Sequence, residues 1–191
     1  MRVARLGARL IIGGLFVGHG TQKLAGWFGG PGLAGTEGMM ESLELHPPRA
    51  QALAAGLTET AGGALLAAGL ATPLASASLV GTMITAIRKV HWSKGPWNTG
   101  GGYEYNLVLI AALLALTEGG PGELSLDAAL GMHLEGTRWS LAALTLGAAA
   151  SSAAVVVGRR TSRVVTDEEQ SAYEPPRVDV APGEGPASRQ Q

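Results

Sequence analysis

The sequence predicts an all-α protein, a transmembrane four-helix bundle with an additional C-terminal transmembrane helix. Three observations predict it. Of the 191 residues, 46% are apolar and only 15% charged, and the apolar share comes mainly from Ala, Leu, Val and Gly. A soluble domain so poor in charge struggles to cover its surface, whereas membrane helices use small residues for close contact. Several apolar runs approach or reach the ~20 residues that cross a roughly 30 Å hydrocarbon layer. Basic or aromatic residues, or Gly and Pro, bound each run. The chain accordingly divides into a four-helix membrane domain (1–131), a connector with a fifth membrane helix (132–158) and a disordered polar tail (159–191).

The first span covers residues 2–28. Arg2, Arg5 and Arg9 mark one end, and Trp27 and Phe28 form an aromatic boundary at the other. His19 and Lys23 lie four residues apart, on one face. His19 is fourteen residues past Arg5, roughly 21 Å along the axis, and therefore inside the hydrocarbon layer. A charge at that depth costs ~2.5 kcal/mol or more, so it should face partners rather than lipid. The rival reading, a cleavable signal peptide with LIIGGLFVG as its apolar core, fits poorly with these two ionisable residues and the apolar runs that follow.

Residues 29–49 read as a loop punctuated by Gly and Pro, with MMESLEL as a short interfacial helix. The second span, about 50–71, contains Glu59 bracketed on one face by Gly56 and Gly63. Small residues beside an intramembrane carboxylate let a neighbouring helix approach closely enough to pair with it. Pro73 opens the third span at a position where its missing N–H is harmless. That span is apolar from Leu74 to Ile87 and then meets Arg88, Lys89 and His91. Residues 92–103, with two Trp and a Tyr, read as a loop at the membrane interface. The fourth span, about 103–118, opens with Glu104 and Asn106. In the connector, SLDAALG reads as a small surface helix capped by Ser125. The fifth run, 139–158, has no ionisable residue and reads as a plain anchor outside the functional core. The Gly14–Gly18 spacing would allow close helix contact, within one chain or between two.

Composition also excludes function classes. The absence of cysteine removes disulfides, thiol catalysis and Cys-ligated metals from this chain. A net charge of −1 gives no electrostatic case for nucleic acid. The Gly100–Gly102 run lacks the lysine and strand context of a phosphate loop. His19, His91, Glu59 and Glu104 lack metal-ligand spacing, so no metal site is expected.

Topology brings the ionisable residues together. Span one ends where span two begins, and span three ends where span four begins, so His19, Lys23, Glu59, Arg88, Lys89, His91, Glu104 and Asn106 all fall in the same half of the membrane. The expectation is a pocket of balanced charge in which pairing makes the groups tolerable. A carboxylate and an imidazole at matched depth suit proton exchange with a ligand oxygen. A network that only fixes helix register is the structural alternative.

RLIIGGLFVGHGTQKLAGWFG, LTETAGGALLAAGL, the basic end of the third span with its Trp-rich loop, and YEYNLVLIAALLAL followed by GPGELSLD together resemble the DoxX family over about residues 5–131. The resemblance implies a multi-pass protein of the bacterial plasma membrane. Related DoxD proteins belong to a membrane thiosulfate:quinone oxidoreductase, and some DoxX proteins associate with detoxifying or sulfur-handling partners. The wider group includes a eukaryotic cargo receptor, so the fold alone does not fix a function. The family-like positions are His19, Lys23, Glu59, His91, Glu104 and Asn106.

The functional expectation is an accessory or quinone-interacting subunit of a membrane-associated redox complex, embedded in the lipid bilayer and open to redox partners or a homo-oligomer. His19 and Glu59 are the candidate catalytic residues, as proton partners of a quinone. Lys23, Arg88, His91, Trp97, Glu104 and Asn106 are the candidate ligand-binding residues. The alternative is a non-catalytic membrane scaffold or small-solute carrier, and the sequence does not decide whether the protein is an enzyme.

Overall fold

The computed structural model describes residues 2–172, and among them every regular element is helical. The long helices are α1 (Arg2–Ala25), α3 (Pro48–Ala68), α4 (Thr72–Ala86), α5 (Glu104–Gly119) and α7 (Thr137–Ala172), with α2 (Gly32–Ser42) and the single turn α6 (Leu126–Ala129) between them. α4 continues directly into a five-residue π segment, Ile87–His91. Among the described residues, the stretch Thr137–Arg159 of α7 is the one helix long and apolar enough to cross a membrane by itself, at mean hydropathy 1.9. α4 and α5 hold only 15 and 16 residues.

α1 and α3 run antiparallel at backbone contact because glycine is present where they cross. A Cβ on Gly20 would lie 2.7 Å from the Gly56 carbonyl oxygen, and one on Gly13 would lie 2.5 Å from that of Gly63. The expected role of Gly56 and Gly63 is therefore met. The Gly14–Gly18 pair makes no helix contact among the described residues of the chain, since nothing lies within 4 Å of either position. α1 meets α3 with residues 13 and 20, two turns apart on one face, and turns 14 and 18 away.

α3 ends in the left-handed Gly69 (φ 64°), whose amide bonds to Leu66 while Leu70 bonds back to Leu65. This paired motif closes the helix and aims the chain into α4. α4 sits at the centre, packed against α3, α5 and α7. Phe16, Leu66, Leu79, Val80, Leu113 and Leu116 form the main core where α1, α3, α4 and α5 meet. α2 folds beneath α3, burying Met40 and Leu45 against Ala52. The loop read over 29–49 thus holds a full helix at Gly32–Ser42, starting earlier and ending sooner than MMESLEL implies. Thr36 secures it by donating from Oγ1 to the Lys23 carbonyl at 3.1 Å.

α7 departs from its reading as a separate anchor. It packs along α4 and α5. A Cβ on Gly147 would fall 2.8 Å from the Ala77 carbonyl oxygen, and Thr85 Oγ1 donates to Ser151 Oγ at 2.9 Å. Helical backbone also continues to Ala172, through residues assigned from sequence to the polar tail. Residues 159–172 contain no Gly or Pro to interrupt it. The remainder of that tail, 173–191, lies outside the described residues.

At the end of the bundle bearing the N-terminus of α1, the connector straps three helices together. The Asp127 carboxylate accepts from the amides of Ala71 (2.7 Å) and Thr72 (3.1 Å) and from Thr72 Oγ1 (2.8 Å), capping α4 across the chain. Its own amide donates to Gly69 O at 2.8 Å. Ser125 Oγ caps α6 as expected, accepting from Ala128 N at 3.2 Å. Arg9 is fully buried and donates to Leu124 O at 2.5 Å, with Asp127 as its opposing charge. α6 is the expected surface helix, with Leu126, Ala128 and Ala129 exposed, but Asp127 on its inner face is 0% exposed. Arg9 is no end marker.

Candidate functional site

The opposite end of the bundle encloses a cavity of about 530 Å³, open on one side. The volume is typical of a small-molecule site, which ranges over roughly 300–1,000 Å³. Each wall follows from a local feature of the chain. α1 presents Phe16, His19 and Lys23, spaced three and four residues apart and hence on one face. α3 presents Ala55, Thr58 and Glu59 beside the glycine contact that draws it onto α1. Met39 and Met40 come from α2, and Met83 from α4. Thioether side chains fill irregular space and adapt to a ligand's outline.

The central polar contact is Lys23 Nζ to Glu59 Oε2 at 2.5 Å, with side chains 21% and 5% exposed. A charge-assisted bond this short is among the stronger contacts available to a protein. It also explains how the carboxylate tolerates burial, since removing one partner from such a pair strands the other. α1 and α3 are thereby pinned at the cavity wall.

The π segment determines what the end of α4 contributes. A π turn inserts an extra residue per turn and re-aims the side chains that follow, which is why such segments recur at functional sites. Here Lys89, Val90 and His91 line the cavity while Arg88 does not. His91 Nδ1 donates to Gly101 O at 2.6 Å, which fixes the ring against the 92–103 loop and leaves Nε2 free. His19 Nδ1 is matched to Gln22 Oε1 at 3.1 Å, again leaving Nε2 without a protein partner. Asn106 is buried and donates to Met83 Sδ at 3.4 Å, leaving its amide oxygen unpaired. Lys89 makes no ion pair among the described residues.

The structure thus brings together His19, Lys23, Glu59, His91 and Asn106 of the residues expected from sequence. It separates the other three. Arg88 is exposed and donates to Ser151 Oγ (3.4 Å) and Ser152 Oγ (3.2 Å) on α7. Trp97 is 69% exposed, and only its backbone carbonyl is engaged, by the amides of Gly100 and Gly102. Glu104 lies in the first turn of α5, where its charge suits the helix dipole, and does not line the cavity. The expected charge balance changes with them. Glu59 is the only acid on the wall, so once it pairs with Lys23 the cavity keeps an excess positive charge on Lys89.

Sequence reasoning missed several wall residues. Tyr105 sits beside Glu104 and lines the wall in its place, while Lys89, which the sequence did place in the pocket, lines it without Arg88. The methionines carried no signal of their own. Ala150, Ser151 and Ala154 of α7 were missed because the run 139–158 contains no ionisable residue. The expectation that all intramembrane polar groups share one half of the bundle also fails, since Arg9 and Asp127 are buried at the other end.

Residues 4–92 match the DoxX family model. No curated protein and no solved structure matches the chain. The matched stretch runs from α1 to the end of the π segment, and so includes the Lys23–Glu59 pair, His19, Lys89 and His91 but neither α5 nor α7. That match, over just under half of the chain, supports membership of the DoxX family, which is membrane-associated.

Proposed function

We propose that the protein is a multi-pass membrane protein whose cavity binds a quinone headgroup, acting as an accessory or quinone-interacting subunit of a membrane-associated redox complex. In this reading α1, α3, α4 with its π segment, and α5 form a four-helix membrane bundle, and α7 crosses beside them. Large apolar side chains that face outward support the embedding: Leu10, Ile11 and Leu15 on α1, Leu57 on α3, Leu107 and Val108 on α5, and Leu141 and Leu146 on α7. So much exposed apolar surface would be a liability in water and is ordinary in lipid. Trp27, Phe28, Trp92 and Trp97 are exposed around the cavity end, where aromatic rings favour the interface.

The observation that carries the ligand class is the mixed lining of the cavity, a few ionisable groups set in a mostly apolar wall. Glu59, Lys23, His19, Lys89 and His91 stand against walls of Phe16, Met39, Met40, Leu43, Leu45 and Leu109. That arrangement fits a flat headgroup with two carbonyl oxygens and an apolar body. A bound quinone would supply two-electron, two-proton chemistry, with the electrons exchanged through a redox partner protein. Glu59 and the free Nε2 of His19 are the groups able to give or take protons at a carbonyl oxygen. Lys23 and Lys89 supply the positive charge that polarises it, Lys89 taking the role expected of Arg88.

Solvent extraction of the purified protein, followed by chromatography, should recover a quinone, and Glu59→Gln should lose it while remaining abundant and inserted. A Glu59→Gln protein that supported undiminished quinone-linked electron flow would overturn the proposal. A change confined to protein level or solute flux would favour a scaffold or carrier.

A further inference from the structure

We infer that α7, which lies outside the matched family segment, sets the size of the ligand this cavity accepts, through Ala150 and Ala154. The inference rests on the quinone reading for its choice of probe but not for its geometry. Ala150, Ser151 and Ala154 form one wall of the cavity, on the helix face that continues Gly147. They are the only contribution of α7 to the cavity, and two of the three are methyl side chains.

The wall cannot retreat. Gly147 is in backbone contact with α4, where a Cβ would meet Ala77 O at 2.8 Å. One turn on, Ser151 is held by Thr85 Oγ1 at 2.9 Å and Arg88 Nη1 at 3.4 Å. Further on, a Cβ at Gly158 would stand 3.2 Å from Leu45, itself a cavity residue. α7 is thus fixed before and after Ala150 and Ala154. A larger side chain there must project into the cavity instead of displacing the helix. The flexible walls of the same cavity, the methionines, can adapt, but this one cannot. Arg88 acquires a role here as a positioning residue, because it anchors the wall without touching the cavity.

Specificity is a ratio of affinities, and a rigid wall changes it by excluding the bulkier of two ligands. The test uses the full chain in detergent and two probes, a one-ring benzoquinone and the two-ring menadione, measured by equilibrium dialysis. Ala154→Leu should weaken menadione at least about tenfold relative to the benzoquinone, a shift of about 1.4 kcal/mol. Ala153→Leu, on the exposed outer face, should leave the ratio unchanged. An Ala154→Leu protein with the wild-type ratio would overturn the inference. The chain has no cysteine, so Ala154→Cys gives a second, ligand-independent measure. Its thiol should react with a small water-soluble methanethiosulfonate and resist a bulky maleimide. If neither quinone binds but Cys labelling shows that size discrimination, the quinone reading fails and the α7 wall stands. Loss of both binding and labelling by size overturns the wall as well.

Discussion

Replacing Asp127 by Ala should be among the most damaging single substitutions in this chain, although Asp127 lies far from the cavity. The carboxylate holds three protein donors at 2.7–3.1 Å, two of them backbone amides at the start of α4. Losing a cap of this kind costs about 1 kcal/mol. Each buried donor left without a partner adds roughly 1–3 kcal/mol. Arg9, which is 0% exposed and whose Nε and Nη1 atoms already lack hydrogen-bond partners, also loses the opposing charge of Asp127. These effects share atoms and do not add fully, so the expected loss is about 4 kcal/mol or more, a range few point mutations reach. Reversible unfolding in mixed micelles, titrated with sodium dodecyl sulfate and followed by circular dichroism, measures it. The double variant Arg9→Met with Asp127→Ala should recover part of the loss, since it removes the stranded guanidinium. A loss below ~1 kcal/mol, or a double variant no better than the single, would refute the reasoning.

Three further outcomes are expected. Glu59→Gln or Lys23→Met alone should destabilise by roughly 1–3 kcal/mol, less than a fully buried pair because Lys23 is 21% exposed, while the double variant should be nearer wild type but still unable to retain quinone. Measuring stability and extracted quinone on the same samples separates the two roles. Gly20→Ala should cost about 1–3 kcal/mol because its Cβ would meet α3 backbone at 2.6–2.7 Å, whereas Gly18→Ala, with nothing within 4 Å, should be neutral or stabilising by up to ~1 kcal/mol on the same unfolding curve. Lys89→Gln should leave stability within about 0.5 kcal/mol yet weaken benzoquinone binding several-fold, and equal affinity would remove Lys89 from the site.

The fold was legible where apolar runs had clear limits. Pro73 and Ser125 fall where their backbone chemistry predicts, and the Gly56–Glu59–Gly63 face meets α1 as its spacing implies. Five of eight expected site residues reach one cavity because topology alone brings the end of α1, the middle of α3 and the π end of α4 together. What could not be read was register. No feature of the sequence IRKVH announces a π turn, and the difference between α and π spacing decides whether Arg88 or Lys89 faces inward. Arg9 was read as a boundary residue because Arg near a helix end usually is one. Only the distant Leu124–Asp127 strap, more than a hundred residues away, makes it internal. α7 was misjudged for a related reason, since small residues without charge look inert until a neighbour is packed against them.

Two buried charge groups lie on α1, fourteen residues or roughly 21 Å apart, and the contrast between them is the strongest argument for where function resides. Around Asp127, every acceptor direction the structure uses points at protein, and Gly69 is packed against the Arg9 guanidinium with no room for a Cβ. Nothing could enter that site without unfolding it. Around Glu59 the same chemistry is left unfinished among the described residues: two imidazoles each keep one ring nitrogen without a partner, Asn106 an oxygen and Lys89 a charge, all on the cavity wall. Buried polar groups that only hold helices in register should be satisfied by one another; the Asp127 carboxylate is, whereas Arg9 Nε and Nη1 are not. Groups left unpaired beside a cavity are available to a ligand: Lys89 would donate to a carbonyl oxygen, while the two Nε2 atoms and the Asn106 oxygen would accept from hydroxyls, as a quinol offers.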